Sequence, residues 1–219
     1  MTFTGLHPDA AAFYAELRVN NTKTWWLENK ARYDDHVRAP FDALGAQLAT
    51  EFGPLKTFRP YRDVRFSADK TPYKLHIGTV TRAPVAHYLQ FSDEGIVIGG
   101  GVYDVPAAAL KRFREIIDDN RLFGDLDATL DEVRADGFEP MTDGSLTTAP
   151  RGYSVDHPQI ALLRLKRVAI GRSEPLAEWM WTPDAAPIIA ARWRTVSVWN
   201  EWVSENLGTD VTGFRSGRP

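Results

Sequence analysis

The chain contains no cysteine among its 219 residues. This absence excludes disulfide bonds, thiolate nucleophiles and cysteine-ligated zinc sites. No apolar run reaches 18 residues, so no membrane-spanning helix and no membrane partner are expected. The amino-terminal residues lack the basic and apolar regions of a secretory signal, and we therefore predict a cytoplasmic location.

Several well-known catalytic motifs are also missing. There is no GxGxxG or GxxxxGK[ST] phosphate loop, no HExxH and no GxSxG. The five histidines include no pair four residues apart on one predicted helix, so the sequence predicts no metal and no cofactor. A metal held by His76, His87 and Asp63 on neighbouring strands is a weaker alternative.

The net charge of −3 argues against a protein that coats nucleic acid or a membrane surface. The charge is unevenly distributed, however. Residues 59–74 contain five cations and two carboxylates, so they carry +3 and the remainder carries −6. Arginines keep their charge at all accessible pH values and therefore need anions beside them. These anions are either the protein's own carboxylates or a ligand.

The periodicity of apolar residues changes along the chain. Steps of three and four predict helices at about 8–19 and 23–52, with Thr22 as a helix cap and with a break or a second start at Pro40. A period of two from about residue 59 to residue 102 predicts four mostly antiparallel strands. Further elements are predicted as helices at 106–119, 122–135, 157–166 and 184–207 and a strand at 168–170.

This order of elements predicts an α+β protein. Its expected form is an antiparallel β-meander of about four to five strands, flanked by N-terminal and C-terminal helices. Because no Pro/Gly/Ser-rich linker divides the chain, we predict a single domain at 1–208 and a flexible tail at 209–219. The glycine run 99–101 is typical of a bulge, of a close crossing by the tryptophan-rich last helix, or of a site that a ligand approaches.

Strand alternation predicts a charged face on the sheet. The residues expected to point towards the core are Val64, Phe66, Leu75, Ile77, Leu89 and Phe91. The residues then expected on the opposite face are Asp63, Arg65, Ser67, Lys74, His76, Tyr88 and Gln90. Lys70 would lie at the tip of the loop between the first two strands.

This face predicts an anion-binding site. Arg62, Arg65, Lys70 and Lys74 would bind a phosphate or carboxylate. In the long loop at 136–157, Arg151 could complete a clamp and Tyr153 could stack on the ligand. Asp63 and His76 are the candidates for proton transfer if the protein is an enzyme. The competing interpretation is an internal set of ion pairs, in which Asp63 and Asp69 neutralise the neighbouring cations.

The same segment resembles a widespread family of uncharacterised proteins, a domain of unknown function. Its hallmark is similar to the run from Arg62 to Lys74, RDVRFSADKTPYK. Other matching segments are Asn20-Asn21 with Trp25-Trp26, Gly99–Gly101, and Pro150–Tyr153 with Asp156–Pro158. The resemblance spans residues 3–207 in order. It implies a shared fold but no established activity.

Two positions depart from the family pattern. Trp26 stands where phenylalanine is expected, and the link at Ala83–His87 is short. We therefore expect an unknown function, with a small anionic ligand, phosphate-bearing by preference, as the leading hypothesis. Hydrolase or transferase chemistry on a phosphorylated metabolite is a guess from chemistry alone. The alternatives are a single-stranded nucleic-acid-binding protein and a non-catalytic interaction module.

Overall fold

The computed structural model describes residues 2–65 and 68–208. The predictions for Phe66 and Ser67 and for a flexible tail at 209–219 lie outside the described residues. The helices are α1 Asp9–Val19, α2 Lys23–Arg32, a π-helical turn Tyr33–Arg38, α3 Ala39–Phe52, α4 Ala107–Asp118, α5 Asn120–Ala135, α6 Ile160–Leu163, a 3₁₀ turn Glu178–Trp181 and α7 Ala185–Leu207. The strands are β1 Leu55–Thr57, β2 Ile77–Thr81, β3 Ala86–Ser92, β4 Gly95–Val102, β5 Glu139–Pro140 and β6 Val168–Glu174.

The α+β class is confirmed. The strands are hydrogen-bonded in the order β1-β2-β3-β4-β6-β5. The strand predicted around Val64 is wrong, because residues 62–65 and 68–72 contain no strand. The described part of the sheet also contains two short strands, β1 and β5, that the sequence did not predict. Three and two residues are too few to show a period of two.

The chain forms two compact units. The first comprises the described residues of 2–82 together with 88–98 and 173–191, and the second comprises 83–87, 99–172 and the described residues from 192 onwards. The single domain at 1–208 stays a prediction.

In the first unit, the helical region that precedes the sheet follows the predicted pattern. Thr22 caps α2 by accepting a hydrogen bond from the Trp25 N–H at 3.3 Å. Pro40 lies in the first turn of α3, as its missing N–H requires. Just before it, the Ala39 N–H bonds the carbonyl of Asp34, five residues back. This π-type bond lets the helical path continue up to the proline without a break.

The strands β2 and β3 of the first unit fix the predicted core register. Ile77 pairs with Phe91 and Thr79 pairs with Leu89 in an antiparallel ladder. Ile77, Leu89 and Phe91 are buried, as alternation predicts. Leu75 precedes the strand and is only half-buried. Its assignment to the core is therefore wrong, because the regular strand begins two residues later.

In the second unit, the glycine run of β4 packs against α7. A Cβ at Gly100 would lie 2.4 Å from Val196 Cγ1 and 2.6 Å from the Ala86 carbonyl oxygen. A Cβ at Gly101 would lie 3.0 Å from Trp199 Nε1. The glycines therefore allow a close helix-to-strand approach, which is the crossing by the tryptophan-rich helix among the three predicted alternatives.

Candidate functional site

The described residues of the basic segment, 59–65 and 68–74, form a bulged hairpin and not a regular strand pair. At its base the Phe58 N–H bonds the Gly78 carbonyl at 2.9 Å, and further out Tyr61 forms an antiparallel bridge with Tyr73. Between these two pairings, Arg59 and Pro60 on one arm oppose the four residues 74–77 on the other. Such a bulge turns side chains away from strict alternation. The predicted shared face of Arg65 and Lys74 on adjacent strands is therefore wrong.

Two side chains from the helical region fix this hairpin. The Asn21 side chain donates to the Tyr73 carbonyl at 3.0 Å and accepts from the Tyr73 N–H at 3.1 Å. The ring of Trp26 stacks on Tyr73, with centroids 4.1 Å apart and an interplanar angle of 10°. Trp26 is buried, and its Nε1 has no hydrogen-bond partner among the described residues. The segments around residues 21, 26 and 73, which resemble the family at separate places in the sequence, thus meet in one contact.

The arginines of the loop are neutralised by its own carboxylates. Arg62 pairs with Asp69 and also donates to the Thr71 hydroxyl. Arg65 pairs with Asp63, with Nη2 and Oδ2 2.7 Å apart. Hydrogen bonds from Arg65 and Arg62 lower the pKa of Asp63 and of Asp69, respectively, to about 2. For these two arginines the internal ion-pair interpretation matches the geometry.

Lys70 is exposed in the loop, as predicted. Its Nζ donates to the Val64 carbonyl at 2.9 Å. This bond ties the two arms of the loop together but leaves the charge in solvent. Lys70 therefore differs from Arg62 and Arg65, because it bonds a neutral carbonyl and not a carboxylate.

A second group of cations lies at the bulge. Lys74 is half-buried, and its Nζ lies 5.2 Å from the centroid of the Phe58 ring. Burial, together with the charge of Arg59, lowers the pKa of Lys74. Burial and the charge of Lys74 lower the pKa of His76 to about 4. Within the described part of the chain, none of these three side chains forms an ion pair with a carboxylate.

The three basic side chains Arg59, Lys74 and His76, called the bulge cluster below, differ from the predicted set. Sequence reasoning included Lys74 and His76 but omitted Arg59, although it begins the same basic run. No local pattern marks a bulge, and so nothing in the sequence singled out Arg59 as a neighbour of Lys74. Asp63 is exposed and stays ionised, whereas His76 is neutral at pH 7. The described contacts do not join the two residues.

Arg151 and Tyr153 belong to the second unit. The Tyr153 N–H bonds the Pro150 carbonyl at 3.1 Å, across a turn in which Gly152 has φ +94°. Burial, followed by the charges of Asp118 and Glu115, raises the pKa of Tyr153. The neighbours of Tyr153 are therefore on α4, and its role in a clamp stays a prediction.

Another group of polar side chains, His7, Asp9 and His36, escaped the sequence analysis. Asp9 Oδ2 lies 2.7 Å from His36 Nδ1, and the two imidazole rings stack with centroids 4.0 Å apart and 8° between planes. Potential ligand atoms of all three lie within 4.8 Å of one another. The separations of 2 and 27 residues form no local motif, so only the tertiary structure brings them together.

This group does not fit a metal ion well. The nitrogen lone pairs of an imidazole lie in the ring plane, and two parallel stacked rings cannot aim them at one point between the faces. Arg32 also occupies the Asp9 carboxylate with two hydrogen bonds, at 2.7 and 2.6 Å. The arginine holds the pKa of Asp9 far below its usual range. The arrangement is that of an ion-pair network that joins α1 to the π-helical turn.

The fold and the site together define a small α+β protein with a charged, bulged hairpin held by an asparagine and a tryptophan. Residues 9–202 match DUF2461, a conserved hypothetical protein family, and because the match covers most of the chain, the chain belongs to that family. No curated protein and no solved structure matches it. Among residues 2–65 and 68–208, no helix has the length and apolar content to cross a bilayer.

Proposed function

We propose that the protein binds a small anionic ligand, phosphate-bearing by preference, at the bulge cluster. The observation that supports this proposal is the state of Lys74. It is partly withdrawn from water, it lies beside Arg59, and no described carboxylate pairs with it. Burying a cation near a second cation is unfavourable, and a bound anion would offset that cost.

The ligand groups differ from those first predicted. Arg62 and Arg65 already have carboxylate partners, so they would shape the loop and not contact the ligand. Arg59 and Lys74 would provide the charge. An arginine offers two parallel donors to a phosphate, whereas a lysine acts as a point charge, and the two together suit a phosphate monoester.

A reaction, if the protein catalyses one, would use His76. Because its pKa is about 4, the imidazole is neutral at pH 7 and can accept a proton. Asp63 stays ionised beside Arg65 and is a weak base. Hydrolysis or transfer on a phosphorylated metabolite is the reaction class that this arrangement would serve. The cytoplasmic location stays part of the same proposal.

Inorganic phosphate is the probe for the test. We expect phosphate to raise the Tm of the unaltered chain and to give saturable heat in calorimetry. Lys74→Gln should abolish both effects, and in the absence of phosphate this variant should be as stable as the unaltered chain or more so. Lys56→Gln is the matched control. Lys56 is exposed on β1, and its replacement removes the same charge as Lys74→Gln does. Equal phosphate binding by both variants would refute the proposal.

Single-stranded nucleic acid is the second candidate ligand. It is favoured by Tyr61, a residue that is 48% exposed at the hairpin beside the cations of the loop. Binding of an oligonucleotide should then weaken steeply between 50 and 200 mM salt, roughly in proportion to the phosphates contacted. Tyr61→Ala should weaken it further. If Tyr61→Ala binds the oligonucleotide as tightly as the unaltered chain, the nucleic-acid interpretation fails.

A further inference from the structure

The bulge cluster borders two aromatic side chains within the first unit. Phe58, which follows β1, and Tyr88 on β3 have ring centroids 6.5 Å apart, with 39° between the ring planes. Both residues are half-buried. Lys74 Nζ lies 5.2 Å from the centre of the Phe58 ring. The rings of Phe58 and Tyr88, called the aromatic pair below, therefore continue directly from the cation.

Gly78 on β2 lies between the two rings. The Phe58 N–H bonds its carbonyl oxygen on one side, and on the other side Gly78 lies opposite Gln90 in the pairing of β2 with β3. A Cβ at Gly78 would lie 3.1 Å from the Tyr88 hydroxyl oxygen and 3.5 Å from Phe58 Cδ2. A longer side chain at this position would push the rings away from the strand. The glycine therefore lets both rings lie close to β2 and form one surface.

A hydrogen bond fixes the ring of Tyr88. Its hydroxyl donates to Gln90 Oε1 at 2.7 Å, so the ring is held both at its backbone and at its far end. Gln90 is itself half-buried, and its Nε2 forms no hydrogen bond with a described residue. A ring that is already fixed loses little freedom when a ligand contacts it. The Tyr88 ring is therefore preorganised for contact with a ligand.

The bulge cluster and the aromatic pair suit different parts of one ligand. Arg59 and Lys74 would bind a phosphate, whereas aromatic rings attract other aromatic rings at centroid distances of about 4.5–7 Å, beyond what the buried apolar area alone contributes. Because the Lys74 ammonium group lies beside the Phe58 ring, a phosphate bound to it would bring its substituent against the aromatic pair. This short distance favours a ring joined to the phosphate by one oxygen atom over a ring joined through a sugar.

We propose that the ligand of the bulge cluster is a phosphate monoester of an aromatic alcohol, whose ring contacts Phe58 and Tyr88. This inference rests on the proposed function, because the phosphate of the ester needs Arg59 and Lys74. It adds the class of the group that the phosphate carries, which the cations by themselves cannot select. An aliphatic ester would keep the charge interaction with the cations and lose the interaction between rings.

Phenyl phosphate and cyclohexyl phosphate are the probes, because they carry the same charge and are similar in size but differ in aromaticity. We expect titration calorimetry with the full chain to show tighter binding of phenyl phosphate, by about two- to tenfold. Inorganic phosphate, measured beside them, tests the cations alone.

Two variants locate the preference for the aromatic ester. Phe58→Leu and Tyr88→Leu should each bring the affinities for the two esters closer together, because each removes one ring of the aromatic pair. Phe123→Leu on α5 is the matched control and should keep the preference. Phe123 is also half-buried but belongs to the second unit.

The outcomes separate this inference from the proposed function. If inorganic phosphate binds and Lys74→Gln abolishes that binding, but the two esters bind equally tightly, the aromatic inference is overturned while the phosphate site stands. If neither phosphate nor either ester binds, both are overturned. A preference for phenyl phosphate that persists in both leucine variants would place the ring elsewhere and would also overturn the inference. The comparison of the two esters uses the unaltered chain, so it stays decisive if a leucine variant does not fold.

Discussion

A single asparagine decides how the charged hairpin is held. Asn21 mimics a neighbouring strand by pairing with both backbone groups of Tyr73. The preceding residue, Asn20, has a different role, since its side chain donates to the Glu16 carbonyl in the last turns of α1. Two identical side chains side by side therefore have distinct tertiary roles, and the sequence alone does not separate them.

Asn21→Ala should lower the free energy of unfolding by about 1–3 kcal/mol, because it leaves two part-buried backbone groups of Tyr73 without partners. Asn20→Ala is the matched control and should lower the free energy of unfolding by less. Its hydrogen bond to the Glu16 carbonyl is exposed, so water can replace it. Urea unfolding measures both costs, and hydrogen exchange at the Tyr73 amide measures local opening. Equal costs for the two variants would show that the Asn21 contact does not fix the hairpin.

At the scale of elements, periodicity predicted the longer helices and the strands β3 and β4, because each is long enough to show its repeat. It placed the start of β2 too early, at Leu75, and the helix predicted at 157–166 is reduced to Ile160–Leu163. It failed at residues 62–65, where Val64 between Asp63 and Arg65 looks like alternation but belongs to a loop. The bulge opposite Arg59 and Pro60 explains the failure. A bulge adds residues to one arm only, and no local propensity marks its position.

Glycine 100 provides a test of the packing between β4 and α7. Gly100→Ala should destabilise the chain by about 1–3 kcal/mol, because the methyl group would overlap Val196 and the Ala86 carbonyl. Gly124→Ala in α5 is the matched control, since nothing lies within 4 Å of its Cβ position. There alanine should stabilise the helix by about 1 kcal/mol.

Chemical denaturation of the two glycine variants gives both values. A mild effect at Gly100, similar to that at Gly124, would mean that the helix and strand are not in close contact. Opposite signs for the same substitution would instead confirm that tertiary packing, and not helix or strand propensity, requires the glycine in β4.

At the scale of the whole molecule, two half-buried histidines predict the response to acid. The pKa values of His76 and His87 are lowered to about 4 from an ordinary value near 6.5. Between pH 6.5 and 4, these two histidines are therefore protonated in the unfolded chain but remain neutral in the folded chain. Stability should be greatest above pH 6.5 and should fall as the pH drops towards 4, by up to about 3 kcal/mol for each histidine.

A second loss should follow at lower pH. The pKa values of Asp63 and Asp69 are lowered to about 2, so their contribution is present above about pH 4 and is lost as the pH falls towards 2. Urea unfolding at a series of pH values separates the two windows. His76→Gln should reduce the loss of stability only between pH 6.5 and 4. If the free energy of unfolding of that variant falls as steeply with pH in this range as that of the unaltered chain, the burial of His76 is contradicted.

The sequence by itself determined the α+β class, most of the helix boundaries, the core register of β2 and β3, and the accumulation of positive charge between residues 59 and 74. These properties depend on local periodicity and composition, which any stretch of chain displays without its partners. Only the tertiary structure decided which cations are neutralised. Arg65 has an acid two residues away and Arg62 one seven residues away, whereas Lys74 has none within ion-pair reach among the described residues. Pairing depends on distances between side chains, and these are set by the bulge, the Asn21 anchor and the stacked Trp26 together. Asn21 lies 52 positions and Trp26 lies 47 positions from Tyr73, which both of them contact.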